Sequence, residues 1–128
     1  MRRLAVLSMH TSPLVQPGSG DGGGMNVYVR ELASALSHAG GRSTVFTRRV
    51  DPDTPTVVEV GPGFRVVHVD AGAHDLPKED LPGVVDEFAD GVASWLDTHP
   101  GHDGILANYW LSAVAGHRLK HELGLPLI

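Results

Sequence analysis

The chain has 128 residues, 41% of them apolar, and a formal net charge of −5 from fifteen acidic against ten basic side chains. That length holds one domain at most, and an acidic balance with no basic run argues against nucleic acid as the main partner. There is no cysteine to form a disulfide, and the first apolar run, residues 4–7, is too short for a signal-peptide core or a membrane span.

These features lead us to expect a soluble, cytoplasmic protein. Of the eight histidines, His117 and His121 stand at i, i+4, a spacing that could share a helix face. The residue after His117 is Arg118 rather than the glutamate of a His-Glu-x-x-His zinc motif, so we expect a solvated face and no metal.

In chain order, the apolar run at 4–7 has the length and continuity of a strand buried on both faces. A long loop follows, with five glycines between Gly18 and Gly24. Loops that long in compact domains are usually functional. Residues 25–38 carry Met25, Val29, Leu32, Ala33 and Leu36 on one helical stripe, stopped by Gly40 and Gly41. Residues 43–47 are β-branched and read as a second strand, which completes a β-helix-β unit.

Two short strand patterns, 56–60 and 64–69, flank Gly61-Pro62-Gly63 and predict a hairpin. A loop at 71–82 carries His74, Lys78, Glu79 and Asp80. The next helix is predicted over 81–96, with Pro82 in its first turn where a missing N–H costs nothing. A buried strand at 103–107 ends on Asn108-Tyr109-Trp110, with Trp110 read as core. A helix at 111–123 then stops at Gly124, and residues 125–128 read as the start of another parallel strand. Strands alternating with helices predict an α/β fold, a Rossmann-like parallel sheet with helices on both faces.

The glycine-rich loop invites two phosphate-binding readings. Gly18-Ser19-Gly20-Asp21-Gly22-Gly23 matches G-x-G-x-x-G, but ten residues separate Leu7 from Gly18, and Thr47-Arg48-Arg49 stands where the ribose-binding acid belongs. A nicotinamide site is therefore weakly supported. No Gly-Lys-Ser/Thr follows the glycines, which excludes a P-loop. What remains is a loop whose backbone can approach an anionic or polyhydroxylated small molecule, next to a helix N-terminus.

The motifs His10-Thr11-Ser12-Pro13, Gln16-Pro17-Gly18, Gly20-Asp21, Gly23-Gly24-Met25-Asn26-Val27-Tyr28, Phe46-Thr47-Arg48, Leu81-Pro82 and Tyr109-Trp110-Leu111-Ser112 together resemble one family. It is that of the family 4 retaining glycosyltransferases, which have two Rossmann-like domains facing a cleft (the GT-B fold). Within it, the pattern is similar to the D-inositol 3-phosphate glycosyltransferases of mycothiol synthesis, and also to bacterial sucrose-phosphate-synthase-like enzymes.

The resemblance spans nearly the whole chain. It implies that residues 1–128 are a partial N-terminal, acceptor-binding domain, with the C-terminal donor domain absent. The implied substrates are a nucleotide-sugar donor and a phosphorylated small-molecule acceptor, with no further cofactor in this segment. By the same resemblance His10, Asp21, Gly22, Gly23, Gly24, Met25 and Asn26 line the acceptor site. Lys78 and Tyr109 grip the acceptor phosphate, and Gln16, Pro17 and Gly24 touch the donor. No catalytic residue is assigned.

Relatives often have His where Leu106 and Asn108 stand, which leaves the acceptor's identity open. Two other readings stay open beside this one. The first is a non-catalytic module that binds a sugar phosphate or another chain. The second is self-association into a homodimer through exposed sheet edges.

Overall fold

The computed structural model describes residues 3–10 and 24–127; for residues 24–27 and Tyr109 it describes the backbone alone. The elements are β1 (Arg3–Leu7), α1 (Gly24–His38), β2 (Arg42–Arg48), β3 (Val57–Gly61), β4 (Phe64–Val69), a 3-10 helix (Lys78–Val84), α2 (Val85–Thr98), β5 (Gly104–Ala107) and α3 (Tyr109–Leu123). The five strands form one sheet in the order β3-β4-β2-β1-β5. β1 pairs in parallel with β2 and β5, and β2 pairs in parallel with β4. The predicted hairpin is present: β3 lies antiparallel to β4 at the sheet edge.

Side chains alternate across the sheet, and each face buries its own cluster. Leu4, Val6, Val45, Phe64 and Val66 pack against Val29 and Ala33 of α1. Ala5, Leu7, Phe46, Val67 and Ile105 pack against Phe88, Val92 and Leu96 of α2 and against Leu111, Ala115 and Leu119 of α3. Helices therefore cover both faces, as the alternating pattern predicts. A parallel bridge between Ile105 and Leu127 shows the last residues starting to extend the sheet beyond β5.

Two local expectations change. The segment before α2 is not an α-helix from Leu81 but a 3-10 helix from Lys78, with Pro82 inside it and Leu81 buried. Regular α-helix begins only at Val85, because Val84 before it sits outside α geometry at φ −117° and ψ 12°. Lys78 thus opens a short helix instead of lying in open loop. The second change concerns Trp110. It lies in the first turn of α3, which starts at Tyr109, and is 53% exposed rather than core. Starting the helix two residues early fixes its phase so that Leu111, Ala115 and Leu119 take the inner stripe and Trp110 the rim.

No helix among the described residues is long and apolar enough to cross a membrane.

Candidate functional site

The sheet has one topological switch point. From β1 the chain passes over one face through α1 to β2; from β5 it passes over the opposite face through α3. The crevice outside the carboxyl ends of β1 and β5 is where open α/β sheets bind ligands. His10 follows β1 and Tyr109 follows β5, so the sheet brings both positions to the same end.

The backbone leading to His10 is held on three sides. Ser8 N–H donates to the Phe46 carbonyl at 2.9 Å, and Arg48 N–H donates to the Met9 carbonyl at 3.3 Å. Met9 N–H donates to Ser112 Oγ at 2.9 Å, with Met9 and Ser112 both buried. Asn108 N–H donates to the Leu7 carbonyl at 3.0 Å, which joins the start of α3 to the end of β1.

His10, Lys78, Glu79, Leu81, Pro82, Trp110 and Leu111 line a cleft of about 340 Å³ at this end of the sheet. It combines a lysine ammonium and an imidazole with an apolar wall and an exposed indole ring. That chemistry suits a small anionic molecule with a ring face to stack. Of the predicted acceptor residues, the structure brings His10 and Lys78 together and puts Tyr109 at the start of α3 beside them. Gly24, Met25 and Asn26 form the first turn of α1. Gln16, Pro17, Asp21, Gly22 and Gly23 lie outside the described residues.

Three residues named in the sequence but given no role at the site matter here. Trp110 lines the cleft, as above. Arg48, at the end of β2, is 6% exposed, and its Nη1 donates to the carbonyls of Arg49, Ala71 and Ala73 at 3.3, 3.4 and 3.1 Å. Burial pushes its pKa below the ordinary guanidinium value. Arg48 ties the stretch leading to Lys78 onto the sheet, and Gly72 N–H adds a bond to Glu87 Oε2 of α2 at 2.8 Å. The signal in the sequence was a second basic residue where a strand end needs none.

Asn108 is 9% exposed, and its amide Nδ2 has no acceptor among the described residues.

His117 and His121 are exposed, with rings 4.8 Å apart. Among the described residues no group of three or more His, Asp or Glu is placed to hold a metal.

Comparison with known proteins agrees with this architecture. Residues 23–128 match the family model described as a glycosyl transferase 4-like domain. The chain is 47% identical over 131 residues to the D-inositol 3-phosphate glycosyltransferase of Actinosynnema mirum, covering 100% of this chain and 31% of that protein. It is 48% identical over 130 residues to D-inositol 3-phosphate glycosyltransferase 2 of Catenulispora acidiphila, covering 99% of this chain and 30% of the other.

The chain therefore spans about a third of the length of the curated relatives it matches. Among solved structures it superposes on the sucrose-phosphate synthase of Thermosynechococcus elongatus with a TM-score of 0.91 at 32% identity, over 99% of this chain and 32% of that one. Os79 from O. sativa, solved with UDP, shares the fold at 19% identity and a TM-score of 0.64, over 96% of this chain and 27% of that one. By the extent of the family match and the switch-point architecture, this chain belongs to the glycosyl transferase 4-like domain family.

Proposed function

We propose that the chain is the N-terminal, acceptor-binding part of a retaining glycosyltransferase. It would act on a nucleotide-diphosphate sugar, with N-acetylglucosamine or glucose as the transferred group, and on a phosphorylated polyol or sugar such as inositol 3-phosphate. The observation that carries this reading is the meeting of His10 and Lys78 in one cleft at the switch point, in a chain nearly half identical to D-inositol 3-phosphate glycosyltransferases.

In this reading Lys78 and Tyr109 hold the acceptor phosphate, and an ammonium meeting a phosphate dianion is a strong, charge-assisted contact. His10 and the Asp21-Gly22-Gly23-Gly24-Met25-Asn26 run surround the acceptor ring. Gln16, Pro17 and Gly24 meet the donor, whose remaining contacts come from a second, C-terminal domain. The transferred carbon passes through oxocarbenium-like charge while the diphosphate leaves. Backbone N–H groups near Gly24, at the start of α1, favour the negative charge growing on that leaving group. Closure of the two domains would exclude water and limit hydrolysis of the donor.

The superposition on a sucrose-phosphate synthase supports a second reading, in which the acceptor is fructose 6-phosphate. A product assay on the whole enzyme separates the two. UDP-N-acetylglucosamine with inositol 3-phosphate is set against UDP-glucose with fructose 6-phosphate. Transfer to inositol 3-phosphate supports the first reading and transfer to fructose 6-phosphate the second. No transfer to any phosphorylated acceptor contradicts both.

A further inference from the structure

Three arginines gather at the other end of the sheet, at the amino ends of the strands and away from His10 and Lys78. Arg3 opens β1 and Arg42 opens β2, and the two are register partners. Arg65 lies on β4 opposite Thr44 of β2. Ala5, Phe46 and Val67 face α2 and α3, so stepping back by even numbers of residues along each strand puts Arg3, Arg42, Thr44 and Arg65 on that same face. Together with His102 they line a pocket of about 140 Å³.

The groups around it are held in place. The Arg65 guanidinium lies 4.8 Å over the Trp95 ring, and its Nε donates to Thr44 Oγ1 at 3.4 Å. His102 Nε2 lies 3.1 Å from the same hydroxyl. Two glycines with positive φ make the room. A Cβ at Gly101 (φ 111°) would fall 2.9 Å from Arg3 Nη1, and one at Gly63 (φ 73°) would fall 3.0 Å from the Gly41 carbonyl and 3.6 Å from Arg42 Cγ.

Among the described residues no ion pair offsets the charge of this cluster. Arg49 and Arg118 pair with carboxylates, but among the described residues no carboxylate pairs with the guanidinium of Arg3, Arg42 or Arg65. Glu59, exposed on the edge strand β3, lines the pocket and faces Arg65 across the ladder without closing an ion pair. Asp103 is engaged by the Arg3 backbone N–H at 2.9 Å. Three positively charged side chains lining one small polar hollow favour an anion there.

We propose that this pocket binds one tetrahedral oxyanion, inorganic phosphate or the phosphate of a monoester, between the guanidinium groups of Arg3, Arg42 and Arg65. The planar guanidinium forks match phosphate oxygens in pairs, and the hollow is small beside the cleft at the opposite end. The site is independent of the glycosyl-transfer reading.

His102 is a built-in reporter. Burial, and to a smaller extent Arg65 and Arg3, hold its pKa below the ordinary 6.5, while a hydrogen bond with the His99 backbone and the Asp103 carboxylate act the other way. An anion on the arginines offsets their effect and raises it.

The test follows the His102 ring resonances by NMR while the chain is titrated with inorganic phosphate, and separately with glucose 6-phosphate. The expected result is a saturable shift with a raised His102 pKa. Arg65→Gln should weaken it by about tenfold or more, and Lys78→Ala should leave it unchanged. If Arg65→Gln unfolds the chain, Arg42→Gln gives the same readout, because the Arg42 side chain is exposed. A response to the free ion alone identifies inorganic phosphate as the ligand, and an equal or stronger response to the ester identifies a phosphomonoester. No His102 shift through the millimolar range, or a shift that Arg42→Gln leaves intact, or one lost in Lys78→Ala, would overturn the proposal.

Discussion

Met9 N–H donates to Ser112 Oγ across 2.9 Å, joining the residue before His10 to the helix that carries Trp110 and Leu111 into the cleft. The bond spans 103 positions of sequence and is fully buried, so it holds two walls of the candidate site in one geometry. Ser112→Ala leaves the Met9 N–H buried without an acceptor, at a cost of about 1–3 kcal/mol. We expect a lower urea midpoint with an unchanged m-value. Ser112→Thr, which keeps an acceptor, should lose less if the extra methyl is tolerated.

Arg48 should act on the site at a distance. Its guanidinium is the donor that three carbonyls share, two of them in the stretch running to Lys78. Arg48→Met removes the donor and leaves those carbonyls to find others, which should cost about 1–3 kcal/mol of stability. In the whole enzyme it should also raise the KM for a phosphorylated acceptor more than that for the donor. Equal changes in both would place Arg48 in general stability alone.

Trp110 and Leu111 are neighbours with opposite outcomes. Leu111 is 4% exposed and Trp110 is 53% exposed. Leu111→Ala should cost about 2–5 kcal/mol through the cavity it leaves, whereas Trp110→Ala should stay within about 0.5 kcal/mol. Thermal melts of the two variants check this. Ligand binding should reverse the ranking per unit of stability, because the indole lines the cleft.

Stability should fall on mild acidification. Burial, with Arg49 nearby, lowers the pKa of His68, and burial, with Arg65 and Arg3, lowers that of His102. A histidine that takes up its proton at lower pH when folded binds fewer protons than the unfolded chain does just below the ordinary value of 6.5. Stability from these two residues is therefore complete above that value, and it is lost as pH drops through it toward the folded values. Melting temperatures should be level on the alkaline side and decline below it. A His68→Gln, His102→Gln variant should decline less over the same window.

Much of this was legible in the sequence because it followed from local pattern. Apolar periodicity marked α1 and α2, and the Gly61-Pro62-Gly63 turn marked the β3–β4 hairpin. Periodicity cannot say that β5 inserts on the far side of β1 and so creates the switch point, since that is a matter of which strand edge is free. It also cannot distinguish a buried arginine that satisfies carbonyls from a solvated one, which is why Arg48 was quoted in a motif but given no structural role. Trp110 was misplaced by helix phase. A start at Leu111 leaves the indole on the strand end, and a start at Tyr109 turns it outward. The three-arginine pocket needed the register of three strands, so no single stretch of sequence displayed it. The glycine-rich stretch at 11–23, which carries the proposed donor contacts Gln16 and Pro17, lies outside the described residues.

In the proposed site Lys78 reads the phosphate of the acceptor. The most direct measurement is the affinity of the whole enzyme and of its Lys78→Ala variant for the phosphorylated acceptor, its dephosphorylated form and the nucleotide-sugar. The variant should lose at least tenfold, about 1.4 kcal/mol or more, for the phosphorylated acceptor, with the other two nearly unchanged. An equal loss across all three ligands, or no loss for the phosphorylated acceptor, would contradict it.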